Sequence, residues 1–139
     1  MIELELNASK IEALKTIDML CGVLAKDIEI DGDTAYILVN KKDVSRTIGR
    51  KGSNISKIKN ALHCKKTKVI AYSEDAKTLL ENILKPVVPK DISIESNNHN
   101  ALIVLSAQDK FKVGKHKINL LKTWAQAHSG IKDVQIRFR

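Results

Sequence analysis

Aromatic residues are scarce in this 139-residue chain, where one Trp, two Tyr and two Phe make up only 4% of the sequence. A hydrophobic core must therefore be built from aliphatic side chains, and few rings are available to stack on the bases of a ligand. Cysteine is equally rare: Cys21 and Cys64 lie too far apart in sequence to form a Cys-x-x-Cys motif. We expect both thiols to be reduced, buried and without chemical function.

Long apolar runs are missing as well. No run approaches the roughly 20 residues that a helix needs to cross a bilayer. The first residues, Met1 to Leu6, alternate apolar and acidic side chains and lack the basic start of a secretory signal. The sequence therefore predicts no membrane association and a cytoplasmic location.

Catalytic motifs are also absent. The chain has no Walker loop, dinucleotide fingerprint or paired carboxylates. The pair His63-Cys64 has no neighbouring carboxylate to complete a nucleophilic site, and no histidine has a second metal ligand at usable spacing (His63, His99, His116, His128). We predict that the protein is not an enzyme, holds no metal or cofactor and takes no small-molecule substrate.

Basic residues, by contrast, are abundant and unevenly placed. The net charge is +8, yet residues 1–40 carry three Lys against eight acids. Residues 41–70 carry ten Lys or Arg against the single acid Asp43, and residues 71–139 carry eleven against seven. A block as basic as 41–70 attracts polyanions by neutralising phosphates and releasing counterions. Charge alone also fits a solvated cationic surface without a partner.

The spacing of apolar residues predicts the element order α-β-β-α-α-β in the first half of the chain. Glycines at 22, 49 and 52 punctuate it, and Asp31-Gly32-Asp33 is a hairpin signal. The predicted helices cover 11–21, 42–48 and a segment from 53, and the predicted strands cover 27–30, 35–39 and 69–72.

The second half predicts the same order. Its helices cover 75–84, 109–113 and 117–128, and its strands cover 92–94, 101–105 and 134–138, with a turn at 97–100. A shift of 65 residues places Ile48-Gly49 on Val113-Gly114 and Val69 on Val134. We therefore predict an α+β protein made of one duplicated module, with domains 1–73 and 74–139 and three-stranded sheets packed on helices.

A Gly-x-x-Gly loop, Gly49-Arg50-Lys51-Gly52, lies between two predicted helices inside the basic block. Residues 44–58 resemble the signature of KH domains, in which such a loop clamps about four nucleotides of a single strand by their backbone. The residue types suit that task, because glycine permits close approach and unusual φ angles. A helix start also directs N–H groups at phosphates. The candidate RNA-binding residues here are Arg46, Ile48, Gly49, Arg50, Lys51, Gly52, Ser53, Asn54 and Lys57.

The order α-β-β-α-α-β is similar to the type II KH arrangement, and two such modules in tandem resemble the KH region of the NusA family. That resemblance implies a NusA-like factor that binds nascent single-stranded RNA and acts in elongation, pausing, termination or antitermination. In KH domains the bases lie along an apolar groove. Ile48, Ile55 and Ile58 are candidates for its wall, and a core position is the alternative for two of them.

The second copy departs from the family pattern, since Gly114-Lys115-His116-Lys117 has Lys117 where the second glycine is expected. These four residues are secondary candidates for RNA contact, and Asn119 matches Asn54. We expect the second domain to bind RNA weakly or to support the first. Trp124, on the helix after this loop, is expected in the core or at the domain interface rather than on a stacking surface.

Two alternatives stay open at this point. The first is a ribosome-associated or rRNA-processing KH protein, which co-purification with RNA polymerase or with ribosomal particles would separate. The second is a protein-interaction adaptor that has lost RNA binding. The acidic segment 1–40 is a candidate contact for a basic protein partner such as RNA polymerase.

Overall fold

The structure, a computed structural model, describes the backbone of residues 2–97 and 99–139 and the side chains of these residues from Ser9 onward. Met1 and Asn98 lie outside the described residues, so the predicted turn at 97–100 and the two predicted domains are described only in part. The chain divides into two compact units, Met1–Tyr72 and Ser73–Arg139. The predicted boundary between residues 73 and 74 lies one residue from this division.

The first unit, which we call unit 1, consists of three α-helices and a three-stranded sheet. Gly22 ends the first helix with φ +67°, and Gly32 has φ +60° in the hairpin between the first two strands. The elements are α1 (Ile2–Cys21), β1 (Asp27–Asp31), β2 (Thr34–Asn40), a 3-10 turn (Lys41–Asp43) leading into α2 (Val44–Ile48), α3 (Ser53–Ala61) and β3 (Lys66–Tyr72).

The core of unit 1 is aliphatic, as its composition requires. β2 is the central strand, antiparallel to β1 and parallel to β3, and its residues 35–39 are all buried. The apolar stripe of α1 packs here with Ile58 of α3. The buried cluster consists of Ala13, Ile17, Cys21, Val23, Ile28, Ile37, Val39 and Ile58.

The second unit, unit 2, has a sheet of the same topology but two α-helices instead of three. Its elements are α4 (Ala76–Leu84), β4 (Asp91–Ile94), β5 (Asn100–Leu105), a 3-10 turn (Ala107–Asp109), α5 (Lys115–Ser129) and β6 (Asp133–Phe138). Asp75 caps α4 by accepting a hydrogen bond from the Thr78 N–H at 3.1 Å. Trp124 is fully buried, as the sequence predicts.

The predicted α+β class is confirmed: the described residues form two three-stranded sheets and five α-helices. The prediction of a short helix at 109–113 is wrong. A 3-10 turn covers Ala107–Asp109, and hydrogen-bonded turns lead from it to α5. Unit 2 therefore has one α-helix between its last two strands where unit 1 has two.

The strand register shows where the duplication holds and where it slips. Asp27 pairs with Leu38, and Asp91 pairs with Val104, so the two hairpins have equivalent registers. In the parallel pairs, Thr34 pairs with Lys66 but Asn100 pairs with Asp133. Paired residues of the last two strands are thus one position further apart in the sequence of unit 2 than in unit 1. Val69 consequently corresponds to Gln135 in the sheet, and the predicted match of Val69 with Val134 is off by one residue.

The depth of Ile58 yields a prediction about stability. Its side chain is 0% exposed and lies among α1 and the sheet, so Ile58→Ala should lower the free energy of unfolding by about 2–5 kcal/mol. Met19→Ala is the matched control, because Met19 is 86% exposed on α1 and should change that free energy by less than about 0.5 kcal/mol. Urea denaturation followed by far-UV circular dichroism measures both, and equal effects would contradict the assignment of Ile58 to the core.

Candidate nucleic-acid interface

The loop between α2 and α3 has a backbone that only glycine adopts readily at two of its four positions. Gly49 has φ +78° and ψ 170°, and Gly52 has φ +76° and ψ 18°. Lys51 between them is also left-handed, at φ +54°. Such angles cost an ordinary L-residue free energy because its Cβ crowds the neighbouring carbonyl oxygen. The sequence pattern of two glycines is therefore matched by two positive φ angles.

Asn54 explains why Gly49 must also lack a side chain. A Cβ at Gly49 would lie 2.7 Å from the Asn54 nitrogen and 2.9 Å from the Asn54 Cβ. The Asn54 Nδ2 donates to the Arg46 carbonyl at 2.7 Å, which joins the start of α3 to α2. Asn54, predicted as an RNA contact, thus holds the two helices together at the loop.

Thr47, at the end of α2 next to the loop, makes buried polar contacts. Thr47 is fully buried, and its hydroxyl donates to the Asp43 carbonyl at 2.7 Å. The Cys21 thiol lies 3.9 Å from the Thr47 carbonyl oxygen. Burial raises the pKa of the Cys21 thiol, and burial likewise raises the pKa of Cys64. Both cysteines are free and buried, which suits structural rather than nucleophilic roles.

The outer side of the loop is open and cationic. A Cβ at Gly52 would meet no atom within 4 Å. Arg50, Lys51 and Lys57 are exposed, as are Arg46 and Ser53. Among the side chains that the structure describes, the ion pairs are Lys10–Asp27, Lys10–Glu29 and Lys112–Asp109. No cation of 41–70 takes part in these three pairs.

The three isoleucines of the predicted groove separate into two kinds. Ile48 and Ile55 are half-buried beside the loop, whereas Ile58 is in the core. The first two can contact a base, and Ile58 cannot. Of the two alternatives that the sequence leaves open, the core position therefore holds for Ile58, and Ile48 and Ile55 stay candidates for the groove wall.

The corresponding loop of unit 2 has a different construction. Gly114 has φ −80° and ψ 171°, which any residue adopts, and a Cβ there would meet nothing within 4 Å. α5 begins directly at Lys115. Lys117 is only 9% exposed, and its Nζ donates to the Lys85 carbonyl at 2.8 Å. Lys115 and His116 are exposed, and so is Asn119, the counterpart of Asn54.

Two features of unit 2 are not predicted from the sequence. An open groove of about 460 Å³ lies between α5 and β6, with Ile118, Ile136 and Phe138 as apolar lining and Lys122 and Arg137 as cations. Phe111, in the turn before α5, is 95% exposed. Its signal in the sequence is a ring between two lysines, Lys110-Phe111-Lys112, that fits no apolar period.

Part of the acidic segment 1–40 is engaged within unit 1. The Lys10 Nζ lies 2.7 Å from Asp27 Oδ1 and 3.0 Å from Glu29 Oε1. Partial burial lowers the pKa of Lys10, but its hydrogen bonds to the two carboxylates outweigh that effect and raise the pKa above its usual value. These two acids therefore already have a cationic partner in the chain.

The described part of the chain was also searched for metal sites and for membrane-spanning helices. Within it, no group of three or more His, Cys, Asp or Glu side chains is arranged to hold a metal ion. Neither does any helix of residues 2–97 or 99–139 have the length and apolar character to cross a membrane.

Comparisons with known proteins add a distant relative and a shared fold. No protein-family model matches the chain. The chain is 22% identical over 111 residues to a probable transcription termination protein NusA of Methanococcus vannielii. The alignment covers 80% of this chain but only 64% of that protein. The chain thus has a weak similarity to a NusA-like archaeal protein and spans less than two thirds of its length.

The fold itself has a solved counterpart. The crystal structure of APE1850 matches with a TM-score of 0.75 at 23% identity, over 94% of this chain and 99% of that one. At this level of identity the similarity concerns the fold alone. It extends through both units, so the arrangement of elements described above recurs in an experimental structure.

The contrast between the loops yields a graded prediction for three glycine-to-alanine variants. Gly52→Ala should lower the free energy of unfolding by roughly 1–2 kcal/mol, because its φ is left-handed. Gly49→Ala should lower it further, since the new Cβ also meets the Asn54 main chain. Gly114→Ala should change it least, because a weaker helix cap and a less flexible unfolded chain act in opposite directions.

Thermal or urea denaturation of the three variants tests this order. They share the same chemical change, so a difference between them reports the backbone and its surroundings. A Gly114→Ala variant as unstable as Gly49→Ala would contradict the description of the two loops.

Proposed function

We propose that the chain is a NusA-like, single-stranded RNA-binding protein made of two KH modules, 1–73 and 74–139. The loop at 49–52 is its principal RNA clamp. The observation that carries the proposal is the open loop itself: two left-handed glycines, an empty space outside Gly52 and two adjacent exposed cations. A nucleic-acid backbone can reach the main chain there and meet positive charge on both sides.

The start of α3 supports phosphate binding at this loop. Gly52 is the N-cap of α3 and has no side chain with which to accept a bond from the first-turn amides. The helix dipole adds partial positive charge at the same end. A phosphate held at such a site accepts N–H bonds, as anions commonly do at helix starts. Arg50 and Lys51 lie at this end, and Lys57 follows one turn into the helix.

The few aromatics of unit 1 do not argue against RNA. KH modules hold bases in an apolar groove and read their edges, so aliphatic walls suffice. Ile48 and Ile55 are the half-buried aliphatic side chains that flank the loop. RNA contact through Arg46, Ser53 and Lys57 belongs to the same proposal, because all three side chains are exposed.

A role in transcription is the finer part of the proposal. The name of the archaeal relative, a probable transcription termination protein, supports this role for the aligned region. We propose that the RNA is a nascent transcript and that binding influences elongation, pausing, termination or antitermination in the cytoplasm, with RNA polymerase as a further partner. The engagement of Asp27 and Glu29 by Lys10 leaves fewer acids of segment 1–40 for such a contact.

The clamp proposal predicts a strong effect of reversing the loop charge. In fluorescence anisotropy with a labelled single-stranded RNA, Arg50→Asp with Lys51→Asp should weaken binding at least tenfold. The slope of log affinity against log salt should fall by about 0.7 for each lost phosphate contact. Both side chains are exposed in a loop, so circular dichroism should show an unchanged fold.

The matched control is Lys15→Asp with Lys77→Asp. It alters the net charge equally at exposed positions of α1 and α4. Its expected affinity is close to that of the natural chain. If the Arg50/Lys51 variant and this control bind RNA equally well, the loop is not the clamp.

A further inference from the structure

Phe111 has an exposure that its chemistry does not explain. It is 95% exposed, the largest value among the exposed hydrophobic side chains of the described residues. Trp124 and Tyr36 are buried, and Tyr72 packs its ring under the Lys26 ammonium at 4.3 Å. In a chain with so few rings, a phenyl group left in water forgoes the stabilisation that burial would give.

The turn that presents Phe111 is well ordered by hydrogen bonds. The Ser106 hydroxyl accepts from the Gln108 N–H at 3.3 Å, and the Asp109 N–H donates to the Ser106 carbonyl at 2.9 Å. The Lys112 N–H in turn donates to the Asp109 carbonyl at 2.9 Å. On the far side Val113 is buried, at 5% exposure. Hydrogen bonds therefore hold the backbone on both sides of Phe111, and its side chain is exposed.

The surroundings of the ring are cationic. Lys110, Lys112 and Lys115 are exposed within four residues of Phe111. One of them, Lys112, forms an ion pair with Asp109 at 3.3 Å. An aromatic face with ammonium groups beside it suits a ligand that offers flat π surfaces along a polyanionic backbone. Single-stranded nucleic acid has that combination, and base stacking on such rings tolerates any sequence.

The position of Phe111 relates it to the first loop. Phe111 lies three residues before Gly114, as Arg46 lies three residues before Gly49. The loop of unit 2 lacks the positive-φ glycines of the first loop, and its Lys117 Nζ donates to the Lys85 carbonyl. The loop of unit 2 therefore differs from that of unit 1 in its backbone angles and in the direction of its second lysine, and an exposed aromatic ring precedes it.

We infer that Phe111 is a stacking platform for a base of single-stranded RNA, with Lys110 and Lys115 at the adjacent phosphates. This inference rests on the proposed function and deepens it. It adds a base contact in unit 2 to the backbone clamp proposed for unit 1. Stacking on one ring is worth about 5- to 150-fold in affinity for one base.

Three substitutions at this one exposed position test the inference in the full-length chain. Phe111→Ala should weaken RNA binding about tenfold in anisotropy titrations. Phe111→Leu keeps an apolar side chain without a π face and should weaken it similarly. Phe111→Trp keeps the ring and should bind at least as well as the natural chain.

The Phe111→Trp variant also gives a direct readout of stacking. The natural Trp124 is fully buried, so the introduced indole is the one that a base can reach. Its fluorescence should be quenched by single-stranded RNA and unaffected by an abasic oligonucleotide of the same length and charge. A merely structural or protein-docking role of Phe111 predicts no such difference.

The outcomes separate this inference from the proposed function. If all Phe111 variants bind normally while Arg50→Asp with Lys51→Asp does not, the clamp stands and the stacking platform is wrong. If Phe111→Leu binds as the natural chain does and Phe111→Ala does not, the contact is apolar rather than stacked, and the inference fails. If the natural chain binds no RNA at all, both are overturned.

Discussion

The RNA clamp proposed for unit 1 depends on a steric constraint in one turn of backbone. For a polyanion to touch main chain, the chain must expose peptide groups without side chains in the way, and it must hold them still. In unit 1, Gly49 leaves the space that Asn54 occupies, and the Asn54 amide ties α3 to the Arg46 carbonyl. The same arrangement keeps Gly52 open to solvent at the start of a helix. Rigid support and access are thus provided by neighbouring residues.

The two units have sheets of the same topology and differ in the loop before their long helix. Their hairpins have equivalent registers, and each parallel strand closes the same side of its sheet. In unit 2 the residues paired across the last two strands are one position further apart in the sequence, hydrogen-bonded turns replace the first of the two helices, and Lys117 donates to the Lys85 carbonyl. A buried ammonium requires such an acceptor. The lysine that replaces the second glycine thus makes a structural contact with Lys85.

The sequence alone predicts the local structure where an apolar run or a glycine is compatible with only one conformation. A run of five apolar residues at 35–39 suits only a central strand, and glycines at 22 and 32 lie where φ is positive. It was insufficient where an outcome depends on neighbours distant in the chain. Helical spacing could not show that Ile58 is deeper than Ile48, because depth is set by α1 packing across α3. Nor could it show that the Lys117 side chain is directed inward or that Asn54 braces the loop, since both partners are carbonyl groups of other segments.

Crosslinking tests the central claim most directly. A short single-stranded RNA carrying 4-thiouridine would be irradiated with the purified full-length protein, and the attached peptides identified after proteolysis. If the loop at 49–52 is the clamp, the dominant crosslinked peptides contain residues 46–57, around the two glycines. Crosslinks confined to other surfaces, with residues 46–57 unmodified at saturating RNA, would contradict it.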